Sequence, residues 1–269
     1  MRRFVLTLAG CVFAVLDVSI CIAQEKQELR EDFKQYFDAF KVEGSFVLYN
    51  LKGDSYVFYN PSQSKQPFTP ASTFKICNSL IGLETGVIRD ENFVIKWDGV
   101  VRQVVAWNKD QDMKTAFKNS TVPYYQELAR RVGGKRMKYW LNKAIYGNAD
   151  TSGGIDQFWL SGGLRITPEQ QIDFLRRLYK NELPFSARSI DIVKRIMIAK
   201  DTVGYTLRAK TGLSEQDGTN IGWYVGYLET AAGVYFFATC LQSSDRENPD
   251  FAAARKEITL NVLKALNLF

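Results

Sequence analysis

The strand patterns of this chain lie near its two ends and enclose a long middle section with helical patterns. The predicted strands cover residues 44–50, 56–59, 203–209, 222–228 and 233–241. Antiparallel strands pair without long crossovers, so the two ends can build one sheet and leave the middle as an insertion. The sequence therefore predicts an α+β fold, with an antiparallel sheet built from both chain ends, flanked by terminal helices, and an inserted, mainly helical lobe.

The helical patterns divide the chain in the same way. The predicted helices cover residues 29–40, 70–81, 123–132, 135–143, 168–181, 186–199 and 248–268. We expect residues 24–269 to form a single domain, in which residues 24–70 and 201–269 make the sheet lobe and residues 71–200 make the helical lobe. A cleft between two such lobes is a common place for a ligand site.

Residues 1–23 have the pattern of an export signal. Arg2 and Arg3 precede the largely apolar run from Phe4 to Ile22, and a small residue, Ala23, precedes Gln24. Asp17 interrupts that run, and no later segment is long and apolar enough to span a membrane. Simple export is the prediction, and lipoprotein anchoring at Cys11 is the alternative.

Signal removal would also remove Cys11 and Cys21 and would leave Cys77 and Cys240. Both remaining cysteines lie in apolar stretches, so we expect buried free thiols, although an exported protein could also pair them.

Charge and composition exclude several kinds of site. Lys and Arg number 35 and Asp and Glu 29, and the basic residues are mixed along the chain, so no nucleic-acid partner is predicted. The chain contains no histidine, which excludes Ser-His-Asp and Cys-His pairs and histidine metal ligands. A base for acyl transfer would have to be a lysine, a carboxylate, a tyrosine or an amine.

Ser72 and Lys75 are three residues apart at the start of a mostly apolar predicted helix. Thr69 is a plausible N-cap and Pro70 suits the first helical position, so both side chains would project from one helix face. A hydroxyl beside an amine can act as a nucleophile and its base. The alternative interpretation is a first-turn serine and a lysine that extends toward solvent. The same spacing recurs by chance at Ser62 and Lys65, in a loop.

Two further short motifs carry polar groups suited to an anionic substrate. Lys210-Thr211-Gly212 lies at the end of a predicted strand, where glycine permits a ligand to approach the backbone closely. Ser120-Thr121-Val122 precedes the predicted helix at Pro123. Taken alone, the first could be an ordinary strand-to-turn transition and the second an ordinary N-cap serine.

Taken together and in this order, the three motifs resemble those of serine β-lactamases and penicillin-binding proteins. The middle motif has Ser-Thr-Val where the better-known group has Ser-Asp-Asn. That difference, together with Phe74, Tyr146-Gly147-Asn148 and Trp159, resembles class D β-lactamases, the oxacillinases. The resemblance extends from the first hairpin to the last helix. It implies an exported bacterial enzyme of the periplasm that hydrolyses β-lactams through an acyl-enzyme.

The resemblance also implies roles for individual residues. Ser72 would be the nucleophile and Lys75 the general base, N-carboxylated by carbon dioxide, with no other cofactor and no metal. Trp159 would donate a hydrogen bond to that carbamate, and Val122 and Leu160 would shield it from water. The amine must lose its proton before it can react with carbon dioxide, so burial would have to lower its pKa.

The remaining implied roles concern the substrate. Ser120 would carry the proton to the leaving nitrogen, and the backbone N–H groups of Ser72 and Leu213 would form the oxyanion hole. The substrate carboxylate would contact Lys210, Thr211 and an arginine. Arg255 in the last helix is the predicted arginine and Arg246 the alternative. Gly212 completes the predicted binding motif.

Other functions fit the same motifs. A β-lactam sensor domain would be acylated without turnover, a peptidoglycan transpeptidase or carboxypeptidase would act on a peptide, and a binding module would have lost the chemistry. The loops at residues 103–108 and 215–220 would govern which β-lactams are accepted, and the sequence leaves that range open. It also leaves open whether the protein is a monomer or a homodimer.

Overall fold

The structure is a computed structural model that describes Met1 and residues 26–269. The predicted export signal, with Cys11 and Cys21, lies outside the described residues. Within residues 26–269, no helix is both long enough and apolar enough to cross a membrane.

Strands from both ends of the chain form one sheet, as predicted. The strands are β1 (Lys26–Leu29), β2 (Glu43–Asn50), β3 (Ser55–Tyr59), β4 (Val94–Ile95), β5 (Gln111–Asp112), β6 (Ile198–Asp201), β7 (Tyr205–Gln216), β8 (Thr219–Thr230) and β9 (Val234–Ser243). In the main sheet of the described residues the order is β1-β3-β2-β9-β8-β7-β6, while β4 and β5 pair separately. All neighbours in the main sheet are antiparallel except β1 and β3. The predicted α+β fold is confirmed.

The helices lie on both sides of this sheet. They are α1 (Lys34–Asp38), α2 (Pro61–Ser64), α3 (Lys75–Glu84), α4 (Met113–Lys118), α5 (Val122–Val132), α6 (Gly134–Ala144), α7 (Pro168–Tyr179), α8 (Ala187–Ile196) and α9 (Phe251–Ala265). Short 3₁₀ turns occur at Glu31–Phe33, Ala71–Phe74 and Val105–Trp107. Helix α7 starts with the predicted cap, because Thr167 accepts from the Gln170 N–H and Pro168 is the first helical residue.

Side chains on the two faces of the sheet belong to two separate cores. Along β8, Trp223, Val225 and Tyr227 belong to the core shared with the helical lobe, whereas Tyr224 and Leu228 belong to the core that contains α9 residues. Successive side chains of a strand point to opposite faces. Both faces of β8 are therefore buried, which explains why its sequence is a nearly continuous apolar run.

Some predicted boundaries are wrong where tertiary pairing competes with local pattern. The helix predicted over residues 29–40 starts later, because Leu29 pairs with β3 and the Arg30 N–H donates to the Phe58 carbonyl, and it consists of the 3₁₀ turn Glu31–Phe33 followed by α1. The helix predicted over residues 186–199 ends at Ile196, because residues from Ile198 onward join the sheet edge against β7. The sheet lobe therefore resumes slightly before residue 201.

The two described cysteines, Cys77 and Cys240, are buried and unpaired. Cys77 lies in α3 and Cys240 in β9. Burial raises the pKa of both thiols. Both are therefore protonated and unreactive at neutral pH.

Candidate active site

Ser72 and Lys75 lie at the junction between the short 3₁₀ turn and α3. The Lys75 Nζ donates to Ser72 Oγ at 2.6 Å, and both side chains are buried. The prediction that Thr69 caps this helix is wrong, since its backbone N–H and its hydroxyl both donate to the Gln216 side chain. The three-residue spacing nevertheless brings the hydroxyl and the amine into contact, as expected from the helical periodicity.

The backbone just before Ser72 is strained. Ala71 has φ of +50° although it is not a glycine, a conformation that is uncommon for residues with a side chain. The Pro70 carbonyl accepts from both the N–H and the hydroxyl of Thr73, and Gln171 in turn donates to the Thr73 hydroxyl at 2.9 Å. These bonds hold Ser72 in place without a conventional helix cap.

Burial changes the acid–base character of Lys75. Its side chain is fully buried between α3 and α5, with the Tyr125 ring centroid 5.3 Å from Nζ. Burial lowers the pKa of Lys75 to about 7. A large fraction of the amine is then unprotonated at neutral pH and can accept the Ser72 proton. The interpretation of Lys75 as a lysine extending toward solvent is wrong.

Ser120 meets the Lys210 side chain across the cleft between the lobes. The Lys210 Nζ donates to Ser120 Oγ at 3.0 Å and to the Thr211 carbonyl at 3.0 Å. Ser120 has φ of +52°, and α5 begins at Val122 with Thr121 as its N-cap residue. Ser120 is therefore not the N-cap of that helix, which was the alternative interpretation. Its unusual backbone instead directs its hydroxyl to Lys210.

The pKa of Lys210 is well below its ordinary value. Burial is the main cause, and the positive charges of Lys75, Arg255 and Lys256 lower it further. Repulsion among these cations falls when an anion binds between them. The site is thus electrostatically suited to the carboxylate of a small substrate.

Gly212 permits β7 to approach the turn that carries Ser72. A Cβ at this position would lie 3.0 Å from the Pro70 carbonyl oxygen and 3.2 Å from both the Thr73 Cγ2 and the Trp223 Cβ. Three sides of the position are therefore already occupied. The atoms close to this glycine belong to the protein itself, and the close approach of a ligand stays a prediction.

We expect Gly212→Ala to lower the free energy of unfolding by about 1–3 kcal/mol, the usual cost of overpacking. It should also lower kcat/KM, because β7 must move away from Ser72. Urea unfolding and steady-state kinetics measure the two effects. The control is Gly204→Ala, where a Cβ has no neighbour within 4 Å. Equal stability of the two variants would contradict the packing argument.

Beyond Gly212, the edge of β7 is open toward Ser72. Strand β6 pairs with β7 only as far as Arg208, and the next edge bond is the Ala209 N–H to the Met197 carbonyl at 2.9 Å. Leu213 lies on this open edge and is 47% exposed. Its backbone N–H role remains a prediction.

The Trp159 side chain packs against the turn that carries Ser72, and its indole N–H is unpaired in the part of the chain that the structure describes. Its ring is buried against Phe74, at 5.3 Å between centroids, and against Phe158 at 4.9 Å. Within the described residues its Nε1–H has no hydrogen-bond partner. An unsatisfied buried donor is costly, so an acceptor at this position would be stabilising. Val122 and Leu160, the predicted shield, are both partly buried.

The two candidate arginines occupy different places. Arg255 in α9 donates from Nη1 to the Gly212 carbonyl and from Nε to the Ala252 carbonyl at 2.8 Å, and burial lowers its pKa to about 10. Arg246 forms an ion pair with Glu215 and its side chain is 59% exposed. The structure therefore brings Arg255, rather than Arg246, to the Lys210-Thr211-Gly212 strand.

Sequence reasoning missed two aromatic residues at the site. Tyr125 covers Lys75, and its hydroxyl is 2.9 Å from the Ser79 hydroxyl. Trp107 donates from Nε1 to the Asn119 carbonyl at 3.1 Å, next to Ser120. Trp107 falls in the loop expected to govern substrate range, which was the one available signal. Nothing local distinguishes Tyr125 from an ordinary core tyrosine.

Comparisons with known proteins match nearly the whole described chain. Residues 26–264 match the family of the penicillin binding protein transpeptidase domain. Beta-lactamase OXA-48 of Klebsiella pneumoniae is 42% identical over 264 residues, which are 98% of each chain. The crystal structure of the class D beta-lactamase YbXI from Nostoc is 46% identical, with a TM-score of 0.85 over 88% of this chain and 99% of the other.

One similar protein is named as a regulatory protein and not as a β-lactamase. The regulatory protein BlaR1 of Bacillus licheniformis is 35% identical in an alignment of 274 residues, which covers 99% of this chain and 45% of that protein. The same fold thus occurs in a regulatory protein.

Proposed function

This chain belongs to the class D serine β-lactamases, within the penicillin binding protein transpeptidase family, and we propose that it hydrolyses β-lactams through an acyl-enzyme on Ser72. The contact between Ser72 Oγ and a fully buried Lys75 amine is the observation that carries the proposal. That contact supplies both a nucleophile and a base whose pKa, about 7, suits proton transfer at neutral pH.

In the acylation step, Lys75 accepts the Ser72 proton as Ser72 Oγ attacks the β-lactam carbonyl carbon. The lactam C–N bond then breaks, and Ser120, held by Lys210, passes the proton taken up by Lys75 on to the leaving nitrogen. The amides of Ser72 and Leu213 stabilise the oxyanion, where one lost donor costs about 10²–10³ in rate. Water then hydrolyses the ester on Ser72.

Lys75 is proposed to act in its N-carboxylated form. Its pKa of about 7 leaves the lone pair free to form the N–C bond with carbon dioxide, with loss of an N–H proton. When present, the carbamate supplies an anionic base for acylation and deacylation. The unpaired Trp159 Nε1–H supports this proposal, because it is a buried donor without an acceptor in the described chain. Val122 and Leu160 would limit the access of bulk water.

The substrate carboxylate is proposed to bind Lys210, Thr211 and Arg255. The contact of Arg255 with the Gly212 carbonyl holds its guanidinium beside that strand, whereas Arg246 is already paired with Glu215. Charged hydrogen bonds of this kind contribute about 1.5–3 kcal/mol each.

Turnover of a chromogenic cephalosporin by the purified protein tests the proposal. We expect many product molecules per enzyme, and none from Ser72→Ala. The similarity to BlaR1 favours a sensor as the second candidate. One acyl group bound per chain on Ser72, without turnover, would support the sensor and contradict hydrolysis.

We expect Trp159→Phe to slow deacylation about 10–100-fold and to change acylation much less, because it removes the indole donor but keeps the ring. The acyl-enzyme should then accumulate and be visible by mass spectrometry during turnover. The control is Trp140→Phe, because the Trp140 ring lies outside this site. It stacks on the Phe185 ring, with 5.1 Å between the two ring centroids. Equal slowing of both steps would contradict the assigned role.

Export is proposed from residues 1–23, with the periplasm as destination and a lipid anchor on Cys11 as the alternative. The mass of the protein recovered from the periplasmic fraction distinguishes cleavage before Gln24 from lipidation. The full-length mass in the cytoplasm alone would contradict both.

A further inference from the structure

A cavity of about 450 Å³ begins at the substrate-binding strand and leads away from Ser72. Lys210 and Thr211 line one end of it, where the substrate carboxylate is proposed to bind. The cavity continues between α4, the start of β6 and α9, and its walls include Lys114, Lys118 and Lys256. We call this space the basic groove.

The basic groove has a strong excess of positive charge. Lys114, Lys118 and Lys256 are exposed, and they form no ion pair in the described chain. A fourth cation, Arg195, is neutralised by Glu91 at 2.8 Å. No Asp or Glu is among the described residues that line the groove. An anion in the groove would therefore not be repelled by any carboxylate among these lining residues.

The arrangement of these lysines is unfavourable in the free protein. Lys114 and Lys118 are four residues apart on α4, so two like charges face the same groove one turn apart. The positive charge of Lys256 also acts on Lys210, at the end of the groove nearest the substrate-binding strand, where it contributes to the lowered pKa of Lys210. A bound anion would relieve both repulsions.

The position of the groove identifies the part of a substrate that would enter it. In a cephalosporin, the ring carboxylate and the C3 substituent are carried on adjacent ring atoms. Because Lys210 and Thr211 also line the groove, a carboxylate bound to them would bring the C3 substituent close to it.

We propose that the basic groove binds an anionic C3 substituent and makes the enzyme prefer β-lactams that carry a second negative charge. The proposal rests on the proposed function, since it uses the carboxylate position assigned there. Lys114, Lys118 and Lys256 are then specificity residues for this second charge.

The test compares two cephalosporins that share the C7 side chain and carry either a carboxylate or a carboxamide at C3. We expect the ratio of kcat/KM, dianion to monoanion, to exceed one in the wild-type enzyme. Each of Lys114→Glu, Lys118→Glu and Lys256→Glu should lower this ratio about fivefold, the effect of roughly one exposed charge pair. The preference should also weaken as salt is raised.

The control variant is Lys135→Glu, which makes the same charge change on α6, outside the groove. It should leave the ratio unchanged. Neutral variants such as Lys118→Gln serve if a charge reversal prevents folding, and a smaller drop is then expected. An unchanged ratio in all three groove variants, or an equal drop in Lys135→Glu, would overturn the proposal.

Equilibrium binding to Ser72→Ala separates this proposal from the proposed function. That variant cannot be acylated, so calorimetry gives the Kd ratio of the two cephalosporins without hydrolysis. If the wild-type protein hydrolyses neither compound, the proposed function fails and the Kd ratio still decides the groove. If both are hydrolysed but Ser72→Ala binds them equally, only the groove proposal fails.

Discussion

Lys75→Met is expected to lower β-lactam turnover by about 10³-fold or more, the upper range for loss of a general base. Methionine has a similar length and can occupy the same buried space, so the packing around Tyr125 and Phe74 should be kept. Acylation should slow as well as deacylation, because the same group serves both steps. Stopped-flow kinetics and mass spectrometry of the Ser72 adduct measure the two separately.

The chain contains its own control for this substitution. Ser62 and Lys65 have the same spacing, but both are exposed. Lys65→Met should therefore leave turnover unchanged.

Lys75→Met should also unfold at the same or a higher temperature, because it removes an amine whose burial is unfavourable. Substantial remaining turnover in Lys75→Met would contradict the assignment of the base.

In buffer depleted of carbon dioxide, we expect turnover to fall about tenfold between pH 8 and about pH 6, and to recover when bicarbonate is added. The sign follows from the Lys75 pKa of about 7. Above that value the amine is mainly neutral and can react with carbon dioxide. Below it the amine is mainly protonated, and its neutral fraction falls about tenfold per pH unit.

Labelling gives a readout that does not depend on activity. With ¹³C-bicarbonate at about pH 8, the wild-type protein should show one carbamate resonance that is absent from Lys75→Met. The resonance should weaken on acidification in step with activity. Full activity in the absence of both bicarbonate and this resonance would contradict the carboxylation of Lys75.

The sequence determined the features that depend on neighbours along the chain. The apolar run of β8, the cap at Thr167 and Pro168, and the three-residue spacing of Ser72 and Lys75 are all local features of the sequence. The order of the three motifs also pointed to the family. Local pattern failed at Thr69, because its polar groups bond to Gln216, which is distant in sequence.

The expectation that the Ser62 copy lies in a loop is wrong, because α2 covers Pro61–Ser64. The two Ser-x-x-Lys copies instead differ in burial, which only the tertiary structure decides. The spacing is the same in both, but Lys65 is exposed and Lys75 is buried among α3, α5 and their aromatic side chains. A pKa depends on how much water surrounds a group, and distant segments determine that.

The same reason applies to the rest of the site. Lys210 meets Ser120 across 90 positions of sequence, and Arg255 meets Gly212 across 43. Sequence supplied the side chains that can do this chemistry. The tertiary structure decided which of these side chains become buried and which contact one another, because burial and long-range contacts depend on how the whole chain packs.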